Sequence, residues 1–107
     1  MGNLEQSASP PPSGVAAYDL VNAIYGNTLY GTWVDYGTPD YNTVYVEQSA
    51  DGSTDWTNYT SQDVYTYAEV VIYSLPENYY YRFYVVVHYG GSDYTSANSS
   101  AEYVFPM

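Results

Sequence analysis

The chain contains no cysteine and no lysine, and its one fixed positive side chain is Arg82. Each absence removes a class of chemistry. Without cysteine there is no zinc finger, no iron–sulfur site, no disulfide scaffold and no thiol nucleophile. Without lysine there is neither a Schiff base nor a lysine isopeptide cross-link. One basic residue against 12 Asp and Glu gives a formal charge of −11 over 107 residues, the single histidine counted neutral. No basic stripe exists to follow a phosphate backbone, so nucleic acid is not an expected partner. The longest apolar run is Phe83-Tyr84-Val85-Val86-Val87, far short of the ~20 residues of a membrane span, and membrane insertion is not expected. Met1–Ser9 has neither the basic start nor the apolar core of a signal peptide. Gln6 stands where an N-myristoylation pattern needs Ser or Thr. The chain is therefore expected either to be made without secretion or to be cut from something larger. No stretch holds a 3.6-residue apolar period over a helix length.

What the chain does have is tyrosine, 17 of them, within a hydrophobic fraction of 46% that is too high for a disordered segment. The length suits one domain. Residues 1–13, with Pro10-Pro11-Pro12 among serines, read as an arm or linker in extended polyproline form. Residues 14–107 read as the folded domain, with no internal repeat. Tyr, Val, Thr and Trp favour strands. Turn clusters fall at Tyr25-Gly26-Asn27, Gly37-Thr38-Pro39-Asp40, Asp51-Gly52-Ser53, Pro76-Glu77-Asn78 and Gly90-Gly91-Ser92-Asp93. Strands are predicted near 14–20, 28–35, 42–49, 55–60, 66–74, 79–89 and 99–105. Seven short strands at this spacing predict an all-β, seven-stranded antiparallel sandwich. Successive side chains point to opposite faces, which sorts an inner set: Leu29, Gly31 and Trp33; Val44 and Val46; Val70 and Ile72, then Leu75 at the bend; Tyr81, Phe83, Val85 and Val87. These should fill a two-layer core with Trp33 at its centre.

Several of these residues fall into a known pattern. Trp33 on the second strand, the stretch from Val46 through Ser49-Ala50-Asp51-Gly52-Ser53 to Trp56, and Leu75 followed six residues later by Tyr81 and then Phe83 and Val85 resemble a fibronectin type III domain. Gly91-Ser92 with Ser96, and the opening Pro11-Pro12 and Val15, are loosely similar to the same family. The resemblance covers about residues 10–106. One departure is Pro76, directly after Leu75, where the family more often has its proline one residue later. The resemblance implies a sandwich in the immunoglobulin-like group and a non-catalytic module. No Arg-Gly-Asp tripeptide is present, so the integrin role of some members does not carry over.

Candidate sites follow, each beside its plainer reading. His88 is the only histidine; with no cysteine or lysine to partner it, it reads as an ordinary strand-end residue. The 12 carboxylates make chance pairs inevitable, and no insertion builds a cleft, so no catalytic residue is expected. Asp51-Gly52-Ser53-Thr54-Asp55 reads as a tight turn more readily than as a cation loop, because calcium wants six to eight oxygens. No metal and no cofactor is expected. Asn58-Tyr59-Thr60 and Asn98-Ser99-Ser100 match the N-glycosylation rule, which a chain rich in Asn, Ser and Thr also meets by chance. If the third, sixth and last strands are neighbours, as the resemblance implies, Tyr45, Glu47, Tyr84 and Val86 share an outward face with Val104 or Tyr103. Such a stripe suits an interface; the plainer reading is that tyrosine is simply a good strand former on a solvated face. Near-absence of Lys with abundant Tyr, Thr, Ser and Asn is similar in composition to exterior proteins of prokaryotes.

The expected role is an extracellular structural or adhesive interaction module, on a cell surface or virion, with a protein partner or with copies of itself. The alternative is a carbohydrate-binding or spacer module of a larger secreted glycan-acting enzyme, holding polysaccharide on surface tyrosines and Trp56. A passive spacer fits the Pro-rich arm equally.

Overall fold

The protein is described here by a computed structural model that covers residues 16–35 and 37–107. The predicted arm, 1–13, lies outside the described residues. Eight strands and no helix occur among the described residues: β1 Tyr18–Tyr25, β2 Thr28–Val34, β3 Tyr41–Ser49, β4 Thr57–Val64, β5 Glu69–Ile72, β6 Tyr79–Tyr89, β7 Ser92–Thr95 and β8 Glu102–Val104. They form two antiparallel sheets packed as a sandwich. One sheet runs β1-β2-β5; the other runs β4-β3-β6-β7, with β8 also on β6. β3 is paired on both sides, along its whole length to β6 and from Asn42 to Gln48 to β4.

The inner faces are those that alternation predicts. Leu29, Trp33, Val44, Val46, Val70, Leu75, Tyr81, Phe83, Val85 and Val87 are buried in one cluster. Ile72 is a partial correction: it packs against that cluster but is only half-buried. It is the last residue of β5, an edge strand, so one flank stays open. Ala17 and Val104 also belong to the core. The Trp33 indole meets Phe83 across the sandwich at 6.2 Å between ring centroids, tilted by 59°, an arrangement the ring quadrupoles favour.

The corner before β6 closes despite its displaced proline. Tyr81 Oη donates to the Pro76 carbonyl at 2.7 Å and accepts from Gln48 Nε2 at 3.0 Å, while Leu75 is buried behind it. Asn22 on β1 seals the sheets together, its Nδ2 donating to the Tyr81 and Ser100 carbonyls, both at 3.0 Å.

The count of seven strands was one short. The last segment pairs with β6 twice, as β7 against Val86–Tyr89 and as β8 against Tyr79–Tyr81. Between them the ladder is completed by serine hydroxyls: Val85 N–H donates to Ser96 Oγ and Phe83 N–H to Ser99 Oγ, each at 2.9 Å. Backbone groups of a buried strand must be satisfied, and Ser96 and Ser99 do this where the chain leaves strand geometry. The expected turn Gly90-Gly91-Ser92-Asp93 overlaps the first half of β7. In fact Gly90 and Gly91 alone make the turn, both at positive φ (61° and 85°) as a two-residue hairpin loop favours. The first strand lies later than expected, 18–25 instead of 14–20, with a register shift between Tyr18 and Val21 where Asp19 takes a φ of 53°. β4 runs four residues further than predicted, and β5 is shorter than 66–74.

Two substitutions test this packing. A Cβ at Gly31 would stand 2.9 Å from Phe83 Cε1 and 3.0 Å from Val70 Cγ1. Gly31→Ala is thus expected to cost about 1–3 kcal/mol by overpacking; an unchanged urea midpoint would show that the sheets part freely there. Tyr81→Phe removes the corner hydrogen bond and leaves the Pro76 carbonyl and Gln48 amide without their partner. A loss of about 1–2 kcal/mol in the same assay is expected, with the native spectrum retained.

Candidate functional site

The outer face of the five-stranded sheet carries the candidate site. Residues directly opposite in an antiparallel pair project to the same side. The β3–β6 register therefore sets Tyr45 beside Tyr84, Glu47 beside Arg82, Thr43 beside Val86 and Tyr41 beside His88. β7 adds Thr95 next to Val86 and Asp93 next to His88. Their inward neighbours Val44, Val46, Phe83, Val85 and Val87 lock these strands into the core, so the face stands on a rigid floor.

Tyr45, Glu47, Tyr84 and Val86, the four residues singled out from sequence, all line one groove of about 450 Å³. The groove is shallow and open, and His88, Asp93 and Asn98 also line it. The rings of Tyr45 and Tyr84 stack at 5.1 Å with 16° between their planes. The Tyr84 phenol titrates above its ordinary value of 10.0, first because of burial and then because of the Glu47 charge and Tyr45. On one side of the pair, Arg82 Nε donates to Glu47 Oε1 at 2.7 Å, and its guanidinium carbon lies 4.1 Å from the Trp56 ring centroid. On the other, the Tyr65, Tyr41 and His88 rings stack in succession, 5.3 Å and then 4.2 Å apart. Tyr41 also titrates above 10.0, through burial first and then the charges of Asp63 and its neighbours. Of the two last-strand candidates, Tyr103 faces outward opposite Tyr80, and Val104 turns into the core.

His88 is more than an ordinary strand-end residue. Its Nε2 lies 2.8 Å from Thr43 Oγ1 and its Nδ1 2.6 Å from Asp93 Oδ1. These are the distances of a hydroxyl nucleophile, a base and an orienting acid. The arrangement nevertheless lacks what that chemistry needs. The Thr43 hydroxyl donates to Asp63 Oδ1 at 2.8 Å, so its proton is directed away from the imidazole. Thr43 is buried in the middle of β3, between two ladders that engage the surrounding N–H groups, and none is left to hold an oxyanion. The chain Asp63–Thr43–His88–Asp93 ties four strands together.

The Asp51 loop is a self-contained turn. Asp51 Oδ1 accepts from Ser49 Oγ and from the Ser53 and Thr54 N–H groups, and Oδ2 accepts from Thr54 Oγ1, all within 2.6–2.9 Å. Its oxygens are turned onto the loop itself. Both sequons lie on the aromatic face: Asn98 on the groove wall, and Asn58 opposite Glu47 on the β4 side. A glycan on either would cover the ground an interface would use.

Alternation on the sixth strand also sets Arg82 on this face, whereas the sequence does not place Trp56, Tyr41, Tyr65 or Asp93 there. Asp93 was accessible: a two-residue Gly90-Gly91 hairpin pairs Tyr89 with Ser92 and hence His88 with Asp93. The cation–π contact was not, because Trp56 lies outside any strand.

No family model matches the sequence, and no curated protein matches it. Solved structures do. The chain superposes on the fibronectin type III domain of the human collagen alpha-1(XX) chain with a TM-score of 0.67 at 16% identity, covering 92% of this chain and 94% of that one. The fold is that of a fibronectin type III domain. A fibronectin type III-like protein from Clostridium thermocellum gives a TM-score of 0.56 at 16% identity, covering 84% of this chain and 90% of that one. The twitchin kinase region from C. elegans gives 0.66 at 12% identity; there 88% of this chain spans 17% of the other. A shared fold does not by itself carry a function. No helix among the described residues is long and apolar enough to cross a membrane.

The Asp51 turn yields a pH test. Four hydrogen bonds, that from the Thr54 hydroxyl first, hold its carboxyl well below the usual 3.8. A depressed folded-state pKa gives stability that is present above the unfolded value and is lost as pH falls towards the folded one. Asp51→Asn should thus lower the urea midpoint at pH 7, with the gap to the parent protein narrowing below about pH 4. A gap that stays constant from pH 7 to pH 3 would deny the carboxylate this role.

Proposed function

We propose that this domain is a non-catalytic structural or adhesive interaction module on the exterior of a cell or virion, presenting the outer face of β3, β6 and β7 to a protein partner. The observation that carries this reading is the Tyr45–Tyr84 stack above a half-buried Val86, in one groove on the face opposite the core. Solvated strands usually alternate apolar and polar residues, whereas β6 is apolar or aromatic on both faces from Tyr84 to Val87. Tyrosine gives an interface large area with few rotors and a hydrogen-bonding tip. The setting outside the cell is supported by the composition, rich in Tyr, Ser, Thr and Asn and without lysine.

The carbohydrate-module alternative has less support. Sugar stacking needs flat aromatic faces, but Tyr45 and Tyr84 spend one face on each other and Trp56 gives one to Arg82.

Light scattering of the purified chain tests the interface. At neutral pH the charge of −11 holds copies apart. As the carboxylates are neutralised below about pH 4, association through the aromatic face is expected. Tyr84→Ser combined with Val86→Ser should abolish it while the far-ultraviolet circular dichroism stays native. Unchanged assembly in that double variant, or a parent protein that stays monomeric in acid, would move the reading to a passive spacer.

A further inference from the structure

The outer face shows once how it holds a positive group, and once how it sets an imidazole between a carboxylate and an aromatic ring. Arg82 sits between the Glu47 carboxylate, 2.7 Å away, and the Trp56 ring, 4.1 Å away. The His88 ring sits between Asp93, 2.6 Å away, and the face of Tyr41, 4.2 Å away. An aromatic face plus a carboxylate is a cation cradle. Between the two lies the Tyr45–Tyr84 pair, and no other basic side chain of this chain is available to it. Glu47 and Asp93 both line that groove. Each gives one oxygen to its own partner, and Glu47 Oε2 and Asp93 Oδ2 take no hydrogen bond among the described residues.

Charge decides the occupant. A second copy would bring −11 against −11, and its single Arg82 is already engaged. A bare cation has no apolar part to cover Val86 and the tyrosine edges. A lysine or arginine side chain has both, a stem that lies on apolar surface and a head that seeks a carboxylate. Glu47 faces Arg82 and Asp93 faces His88, positions about 20 Å apart along an extended strand, so a single side chain does not serve both ends. We propose that this groove docks an extended segment of a partner protein bearing lysines or arginines, whose cationic heads go to Glu47 and Asp93 and whose stems cover Val86 and the Tyr45–Tyr84 edges. The inference rests on the interface reading above and names the partner's chemistry.

The test titrates the full 15N-labelled chain, at neutral pH and low salt, with the capped peptide Lys-Thr-Lys-Val-Lys-Thr and with versions in which every lysine is serine or glutamate. The lysine peptide should shift, saturably, the amides of residues 43–47, 84–88 and 93–95, and the glutamate peptide should shift none. Affinity should fall about threefold in Asp93→Asn, as for a partly exposed ion pair, and fall again once salt exceeds about 0.15 M. Glu69→Gln, on the opposite sheet, should leave it unchanged. If the serine peptide binds the same amides as tightly, the face is an interface but its cationic partner is overturned. If the lysine peptide shifts both sheets alike, and Glu69→Gln weakens it as much as Asp93→Asn, the attraction is non-specific and the groove is overturned as its site; the light-scattering result then judges the interface separately. Shifts of these same amides on concentrating the chain alone at neutral pH would overturn the choice of partner over second copy.

Discussion

The pairing of β3 with β6 is the constraint on which the rest depends. It sets Val44 against Val85 and Val46 against Phe83 inside, and Tyr45 against Tyr84 and Glu47 against Arg82 outside. Because side chains alternate with a period of two, a slip of one residue would exchange the faces. A slip of β3 would bring Tyr45 and Glu47 into the core and expose Val44 and Val46; a slip of β6 would bring in Arg82 and Tyr84 and expose Phe83 and Val85. Burial of Phe83, Val85, Val44 and Val46, all at 0% exposure, makes that exchange costly, at about 1.5–3 kcal/mol for each apolar side chain. The register that the core requires is therefore the register that assembles the groove.

This coupling explains which parts of the molecule were legible from the sequence. The inner faces of β2, β3 and β6 were readable because Leu29–Trp33, Val44–Val46 and Tyr81–Val87 alternate without interruption. The outer four residues, Tyr45, Glu47, Tyr84 and Val86, followed from the same alternation once the strands were taken as neighbours. Legibility failed where structure rests on short, interrupted pairing that side chains supplement. Ser96 and Ser99 hold their segment against β6 through hydroxyls that accept from Val85 and Phe83 N–H and through their own N–H groups, which donate to the Val85 and Phe83 carbonyls, and nothing in the local pattern distinguishes such serines from loop serines. The eighth strand was missed because the four residues of β7 directly follow the Gly90-Gly91 turn and overlap the expected turn cluster. His88 was read from its lack of cysteine and lysine partners, yet its partners Thr43 and Asp93 lie on two other strands. Only the pairing register brings them to it.

The charge distribution follows a similar economy. A chain with one arginine and one histidine has placed both on the same outer face, each between a ring and a carboxylate. Both contacts fasten side chains that border the groove. Arg82 holds Glu47 on β3, and His88 holds Asp93 on β7 while touching Thr43. Partly exposed pairs of this kind stabilise by only about 0–1 kcal/mol, so their effect is mainly positional. They fix where the groove's carboxylates stand, and a binding site gains from groups that need no further ordering when a partner arrives.

The same balance bears on how a strand that is apolar on both faces stays in solution. The outer edges of the five-stranded sheet are β4, which is exposed along most of its length, and the broken pair β7 and β8. Edge strands invite pairing with other chains, and natural sheets commonly blunt them with lysine, proline or bulges. This chain has no lysine to spend there. β4 instead carries a register shift against β3 between Val46 and Glu47, and the second edge is interrupted by the serine-held segment. Neither offers a long regular ladder. The remaining protection is the net charge of −11, which acts at neutral pH and fades as the carboxylates are protonated. The register that builds the aromatic face does not depend on pH, whereas the charge that surrounds it does.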